Sequence, residues 1–210
     1  MVGQGVLREC LCDPDVSLVL SVGRTTLPIQ HPKLHQIEHS DMQDLTPIEA
    51  HLLRLDACFF CLGVSSSGMK EAEYRQVTLD ITLAVANTLV RLNPQMTFIY
   101  VSGMGTDSTE VGRTMWARVK GKTENALLKM PFHAYMFRPG LIVPLHGIRS
   151  KTRAYRILYT LTKPILPWLR RAFPNAVLTT EEVGKAMLIV ARRGAPTRIL
   201  ESKDIRALLS

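Results

Sequence analysis

The stretch that decides the fold begins with TFIYVS (residues 97–102) and ends with AYMFRPGLIV (residues 134–143). Both segments are nearly continuous apolar runs rich in aromatic and β-branched residues, which is typical of buried strands. Between them, Val119, Ala126 and Leu127 contribute to a helical stripe. A strand, a helix and another strand in this order predict parallel strands that are joined through the helix.

The same alternation extends toward the N-terminus. Apolar, β-rich runs recur at residues 16–22 and 57–62, and a further extended segment precedes Asp41. Helical stripes are formed by Val2, Val6, Cys10 and Leu11, and again by Leu79, Leu83, Ala86 and Val90. Apolar strands between amphipathic helices are what a sheet covered on both faces requires, so we predict an α/β fold with a doubly wound, mostly parallel sheet.

Length and composition indicate one domain covering residues 1–210. The chain is 46% hydrophobic and 21% charged, which excludes a disordered protein or a coiled-coil rod. Its start, MVGQGVLREC, lacks a basic opening and an apolar signal stretch, and the apolar run at residues 155–169 is interrupted by charges and prolines. We therefore expect a cytoplasmic protein with reduced cysteines.

The C-terminal part begins with a basic segment. Residues 125–180 contain no acidic residue and nine bases, in a chain whose net charge is +8. This asymmetry favours a phosphate-bearing ligand, an anionic membrane surface or an acidic partner over nucleic acid. Residues 149–175 are predicted to form a lid-like insertion. Its part 149–171 interleaves bases with aromatic residues, which fits a substrate lid, a peripheral membrane patch or a solvated face.

After this insertion, Thr179 and Glu182 have the spacing of a helix capping box. They predict a helix that ends near Arg193. A short closing strand is predicted at residues 198–201.

Met1-Val2-Gly3, followed by a helix from about Gln4, resembles the tail of a G-x-x-G-x-x-G turn. In a nucleotide-binding sheet, this turn connects the first strand to a helix whose N-terminus holds a pyrophosphate.

Seven segments in order carry a wider resemblance: VGQGVLREC, SDMQDL, CLGVSSSG, YVSGMGTDST, WARVKGKTENALL, FRPG and TTEEVGKAM. Together they resemble the extended or atypical short-chain dehydrogenase/reductase superfamily, with its Rossmann-type sheet, and most closely its bacterial NAD-dependent epimerase/dehydratase-like branch. The resemblance implies a small-molecule substrate of carbonyl or sugar-like type. The alternative is a non-catalytic, cofactor-binding redox sensor or interaction module.

The chain departs from this family at two places. The first strand and the first two glycines of the turn are absent from the sequence, and Trp116 stands at the family's tyrosine position. We therefore expect an incomplete unit, in which the missing strand would lie between those at residues 16–22 and 57–62. An unfilled position there would leave two strand edges unpaired.

By the same resemblance, several residues would bind the cofactor. Gly3 would belong to the phosphate turn, and Arg24 would meet the adenosine ribose. An arginine there suits a 2′-phosphate, so we expect NADP(H), with NAD(H) as the alternative. Asp41 would lie near the adenine, unless it is an ordinary turn aspartate. The backbone of Leu62 and Gly63 would lie close to the cofactor, although an ordinary turn also explains a glycine there.

Residues 138–140, Arg138-Pro139-Gly140, resemble the family's R-P-G segment beside the nicotinamide, and a strand that ends in a turn is the other interpretation. Lys120, four residues after Trp116, would bind the nicotinamide ribose or else face solvent. Ser102 would contact the cofactor or act as the catalytic hydroxyl, or simply end its strand. Trp116 cannot replace a catalytic tyrosine, because an indole N–H donates and does not titrate.

No metal site is predicted. Cys58 and Cys61 fall in one strand and face opposite sides, and Cys10 and Cys12 diverge on a helix. The series His31, His35 and His39 is interrupted by Pro32 and falls in an extended segment.

Overall fold

The computed structural model describes residues 1–148 and 176–210. The predicted lid-like insertion at 149–175 lies outside the described residues. The helices are α1 (Val2–Cys12), α2 (Glu71–Arg75), α3 (Ile81–Leu92), α4 (Met115–Leu128), α5 (Thr180–Arg193) and α6 (Ser202–Ala207). The strands are β1 (Val19–Gly23), β2 (Leu34–Glu38), β3 (Ala57–Phe60), β4 (Thr97–Val101), β5 (His133–Arg138), β6 (Leu141–Val143), β7 (Val177–Thr179) and β8 (Ile199–Glu201).

Every strand pairing in the described residues is parallel. One sheet has the order β3-β4-β5-β8, and two smaller sheets pair β1 with β2 and β6 with β7. At the centre, Ile99 of β4 is in register with Tyr135 of β5. This arrangement confirms the predicted α/β class with a parallel sheet.

Strand β4 shows why the sheet is covered on both sides. Phe98 and Tyr100 pack into a core with α3 residues, whereas Ile99 between them packs into a second core with α1 and α5 residues. Successive strand residues face opposite sides, so a fully apolar strand needs an apolar partner on each face. The doubly wound architecture follows from this burial.

The predicted strand at residues 134–143 is two strands, which corrects the sequence interpretation. Strand β5 ends at Arg138, and β6 begins at Leu141 in another sheet. The break falls at Pro139-Gly140. Pro139 has no N–H for a sheet, and the N–H of Gly140 donates to Ser202 Oγ at 2.8 Å.

Helix α5 begins as predicted. The Thr179 hydroxyl accepts a hydrogen bond from the Glu182 N–H at 3.0 Å, and the Glu182 carboxylate accepts one from the Thr179 N–H at 2.6 Å. The closing strand is confirmed as β8. A 3-10 helix at Thr46–His51 and a π-helical turn at Gln76–Asp80 were not predicted.

Strands β1 and β3 belong to different sheets but lie against the same helix and the same two cores. Helix α1 contacts both strands. Val19 of β1 and Phe59 of β3 pack against one core, and Leu20 and Cys58 pack against the other. Among residues 1–148 and 176–210, however, no strand joins β1 to β3. All five residues of β1 are consequently only half-buried, unlike the largely buried β4.

Within the described part of the chain, no helix has the length and apolar character that crossing a membrane would require.

Candidate functional site

The predicted cofactor residues follow or end parallel strands. Arg24 follows β1, Leu62 and Gly63 follow β3, Ser102 follows β4, and Arg138 ends β5. The carboxyl ends of β3, β4 and β5 lie at one edge of their common sheet, whereas β1 belongs to the sheet that it forms with β2. Open α/β sheets bind their ligands in the crevice outside this edge.

Gly3 lies in the first turn of α1, against the end of β3. A Cβ placed on Gly3 would be 3.3 Å from the Cβ of Cys61, which is closer than most such contacts. The first turn of α1 contains no acidic residue. This close approach of helix and strand is the role of the third glycine in a dinucleotide-binding turn, and it directs the helix N-terminus toward the carboxyl edge.

Gly63 differs from Gly3, because among residues 1–148 and 176–210 a Cβ there would have no neighbour within 4 Å. Packing within this part of the chain therefore does not require a glycine at position 63. The side chains of Leu62 and Val64, on either side of Gly63, are large, apolar and exposed, with exposed fractions of 40% and 45%. Met104, which follows the next strand of the sheet, has an exposed fraction of 59%. A glycine beside open space and apolar side chains without cover fits the approach of a ligand.

Arg24 and Asp41 are both exposed. Arg24 lies where the prediction puts it, directly after β1. Asp41 comes three residues after β2, and its carboxylate accepts a hydrogen bond from the Gln43 N–H at 2.9 Å. This local turn accounts for Asp41 without a ligand, so its adenine contact stays a prediction.

Lys120 does not project into solvent. It is half-buried, and its ammonium donates to the backbone carbonyl oxygen of Ser102. The Ser102 hydroxyl, itself buried, donates to Glu124 Oε1 at 2.5 Å and to the Phe137 carbonyl oxygen at 3.2 Å. The structure therefore brings Ser102 and Lys120, the two residues at which the resemblance places catalysis, into direct contact, and their catalytic roles stay a prediction.

The sequence interpretation missed Glu124, the centre of this cluster. Glu124 is fully buried and accepts hydrogen bonds from Arg138 Nε at 3.1 and 3.2 Å and from Arg138 Nη2. Arg138 also donates to Ser108 Oγ at 2.5 Å and to Glu201 Oε1 at 3.3 Å. Its pKa is raised, chiefly by the hydrogen bonds to Glu124. The sequence does contain one signal for Glu124. It follows Lys120 by four residues, and this spacing places both side chains on the same face of a helix.

Each residue of the Arg138-Pro139-Gly140 segment has an internal partner. Arg138 points into the Glu124 cluster, and the Pro139 carbonyl oxygen accepts from the Met104 N–H at 3.0 Å. A Cβ on Gly140 would be 2.6 Å from the Ala176 carbonyl oxygen. The contacts of Arg138 and Gly140 explain these two residue types without a cofactor, and the cofactor contacts of all three residues stay a prediction.

Trp116 covers the turn that follows β4. Its ring lies 3.4 Å from the position that a Cβ of Gly105 would take, and it packs against the small cluster of Tyr74, Leu79 and Val119. In the same turn, the Thr106 hydroxyl donates to the Gly103 carbonyl oxygen at 2.7 Å. Trp116 and Lys120 thus lie on the same face of α4, as the resemblance implies.

Cys10, Cys58 and Cys61 lie in apolar surroundings, whereas Cys12 is exposed. Burial raises the pKa of Cys58 and of Cys61 to about 12, and that of Cys10 to about 11. Such thiols are poorly nucleophilic. Within residues 1–148 and 176–210, no three His, Cys, Asp or Glu side chains are grouped as metal ligands.

A cavity of about 710 Å³ opens at the opposite edge of the sheet. It is lined by residues at the amino ends of β3, β4 and β5, including Asp56, Thr97 and His133. The predicted cofactor residues lie at the carboxyl edge, so this cavity is separate from them.

Solved structures share this fold at low sequence identity. The Bordetella bronchiseptica enzyme WbmH, in complex with NAD+, is 14% identical with a TM-score of 0.70 over 96% of this chain and 71% of its own. The dTDP-glucose 4,6-dehydratase DesIV from Streptomyces venezuelae, with NAD bound, is 13% identical with a TM-score of 0.66 over 99% and 76%. The ADP-L-glycero-D-manno-heptose-6-epimerase from Helicobacter pylori is 13% identical with a TM-score of 0.65 over 91% and 70%. No family model and no curated protein sequence matches the chain.

Proposed function

We propose that this chain is an NAD(P)-binding protein of the short-chain dehydrogenase/reductase type that acts on a small carbonyl or sugar-like substrate. The proposal is carried by the carboxyl edge of the sheet, where Gly63 has open space beside the exposed Leu62 and Val64. The structural neighbours WbmH and DesIV, whose structures contain NAD, support a nicotinamide cofactor.

Within the proposal, the cofactor is NADP(H). Arg24 is exposed directly after β1, and its guanidinium suits a 2′-phosphate, whereas a free 2′-hydroxyl is usually bound by a carboxylate. Lys120 would hold the nicotinamide ribose from the other side of the edge. The bound nicotinamide would supply hydride chemistry, while the protein would supply binding, orientation and any proton.

We further propose that one more parallel strand lies between β1 and β3. Both strands contact α1 and border the same two cores. A strand in this position would pair both rows of backbone N–H and C=O groups, and it would end near the N-terminus of α1. This connection would complete the phosphate turn of which Gly3 is the third glycine.

The test compares three proteins by calorimetric titration with NADPH and by thermal unfolding. They are the 210-residue chain, the chain extended by an apolar strand and a G-x-x-G turn directly before Met1, and the same extension with its residues scrambled. The strand extension should raise the unfolding temperature and give the tightest NADPH binding. A folded, extended protein without NADPH or NADH binding would contradict the proposed function.

A cofactor-binding protein without turnover is the second candidate, and hydrogen bonding favours it. Trp116 cannot exchange a proton with a substrate, and the nearby hydroxyls of Ser102 and Thr106 already donate to other groups of the chain. This candidate expects NADPH binding with negligible reduction of a panel of carbonyl substrates.

A further inference from the structure

Three residues spaced by four, Trp116, Lys120 and Glu124, lie along one face of α4. Two of them contact Ser102 at the end of β4. The Lys120 ammonium donates to the Ser102 carbonyl oxygen, and the Ser102 hydroxyl donates to Glu124 Oε1 at 2.5 Å. The helix therefore holds this strand end through both its backbone and its side chain.

Glu124 is the most buried charged group of the cluster, since its exposed fraction is 0%. Arg138 donates to both carboxylate oxygens, and its guanidinium is itself fixed by Ser108 and Glu201. The Glu124 carboxylate is thus fixed in position, one turn after Lys120 on the helix.

We infer that Glu124 is a positioning residue that orients the Ser102 hydroxyl into the protein and supplies the counter-charge for the Lys120 ammonium. The inference deepens the proposed function, because Lys120 is there the ligand of the nicotinamide ribose. Under this inference, the Ser102 hydroxyl has a structural role, because its proton is directed toward Glu124 and away from a substrate. A proton donor for catalysis is then to be sought elsewhere.

The charge balance of Lys120 supports this assignment. Burial lowers the pKa of the Lys120 ammonium, and the charge of Glu124 opposes that shift. The other charged or titratable groups around the cluster in the described residues are Arg138 on β5, Glu201 at the end of β8, Tyr100 on β4 and Tyr74 on α2. Of the two carboxylates, only Glu124 accepts a hydrogen bond from Ser102.

The test is an NMR titration of the Lys120 side chain in protein with isotope-labelled lysine, without cofactor. Glu124→Gln should lower the pKa of Lys120 by about one unit or more, as expected when a close opposite charge is removed. Glu201→Gln is the matched control, because Glu201 also bonds Arg138 but is part-exposed and lies beyond it. An equal pKa of Lys120 in both variants would overturn the inference.

Glu124→Gln leaves Arg138 buried without its main partner and can prevent folding. In that case, the double variant Glu124→Gln with Arg138→Gln removes both charges, and it should still lower the pKa of Lys120 relative to Glu201→Gln. Glu124→Asp keeps the charge and should restore the pKa toward the native value. Failure of both comparisons would contradict the role of Glu124. Since the titration uses no cofactor, its outcome is independent of NADP(H) binding.

Discussion

Gly121 of α4 lies against the backbone of Asp107, so closely that a Cβ on Gly121 would be 1.7 Å from the Asp107 carbonyl oxygen. The turn after β4 is built around the Asp107 side chain, which accepts hydrogen bonds from Thr109 and from the Gly112 N–H, and these bonds hold its pKa below the usual value. The glycine therefore sets the distance between this turn and the helix that carries Lys120.

We predict that Gly121→Ala is strongly destabilising. A methyl group at this position must displace backbone, and overpacking of this kind costs about 1–3 kcal/mol, which exceeds the roughly 1 kcal/mol that alanine gains over glycine in a helix. Urea denaturation should show a lower midpoint with a similar slope. An unchanged midpoint would mean that α4 moves away from Asp107 without cost.

Gly63→Ala is the matched control for Gly121→Ala. Unlike Gly121→Ala, it should leave the stability almost unchanged. A Cβ there has open space, so the free energy of unfolding should change by less than about 1 kcal/mol. If a cofactor passes Gly63, the added methyl group should weaken NADPH binding to the strand-extended protein roughly tenfold, the equivalent of about 1.4 kcal/mol. Native affinity for NADPH in calorimetry would remove Gly63 from the binding surface.

Local signals made part of the fold predictable. The capping box of Thr179 and Glu182 involves residues three apart, and the strand at residues 97–101 is almost entirely apolar because both of its faces are buried. The break between β5 and β6 was also present in the sequence, as Pro139-Gly140. The apolar run continues on both sides of this pair, which favours a single strand when only periodicity is considered.

The Glu124–Arg138 pair could not be predicted in the same way. Its members lie on a helix and on the following strand, and their contact depends on how α4 packs against β5. Arg138 was assigned to the basic segment that would attract a phosphate, because no acid occurs in residues 125–180. The carboxylates that neutralise it, Glu124 and Glu201, lie outside that range.

Arg24→Ala should discriminate between the two cofactors. Only the 2′-phosphate of NADPH would lose its charged hydrogen-bond partner, worth about 1.5–3 kcal/mol, so NADPH affinity should fall roughly ten- to a hundredfold. NADH affinity should change little. Calorimetric titration of the strand-extended protein with both cofactors measures this difference, and equal losses for both would exclude Arg24 from the 2′-phosphate.

Glu181 should make the stability depend on acid pH. Hydrogen bonds from Lys185 and His146 lower its pKa from 4.5 to about 2, so the folded state favours the ionised carboxylate. This contribution is present above the ordinary pKa and is lost as the pH falls from 4.5 to about 2. Both partners are exposed, so the effect is small, at most about 1 kcal/mol.

Thermal unfolding of the native protein and of Glu181→Gln measures this contribution. The native protein should be the more stable above pH 5, and the difference should shrink as the pH falls toward 2. Glu38→Gln, at an exposed position on β2, serves as the control. A difference between native protein and Glu181→Gln that is constant with pH would show that ionisation of Glu181 is not its source.

Trp116→Tyr should create the acid/base pair that the native chain lacks. The substitution places a phenol four residues before Lys120, on the helix face that already holds the ammonium at Ser102. Positioned acid/base catalysis contributes about 10²–10⁴-fold to a rate, so carbonyl reduction with NADPH should rise above the native level. The measurement is NADPH oxidation over a panel of small carbonyl substrates, with Trp116→Phe as the control that adds no hydroxyl.

Native turnover that Trp116→Phe abolishes would show that the indole takes part in the reaction. Native turnover that survives this change would favour an enzyme with a different proton donor, and Thr106→Val would test one of the two hydroxyls that flank the Gly103–Gly105 turn.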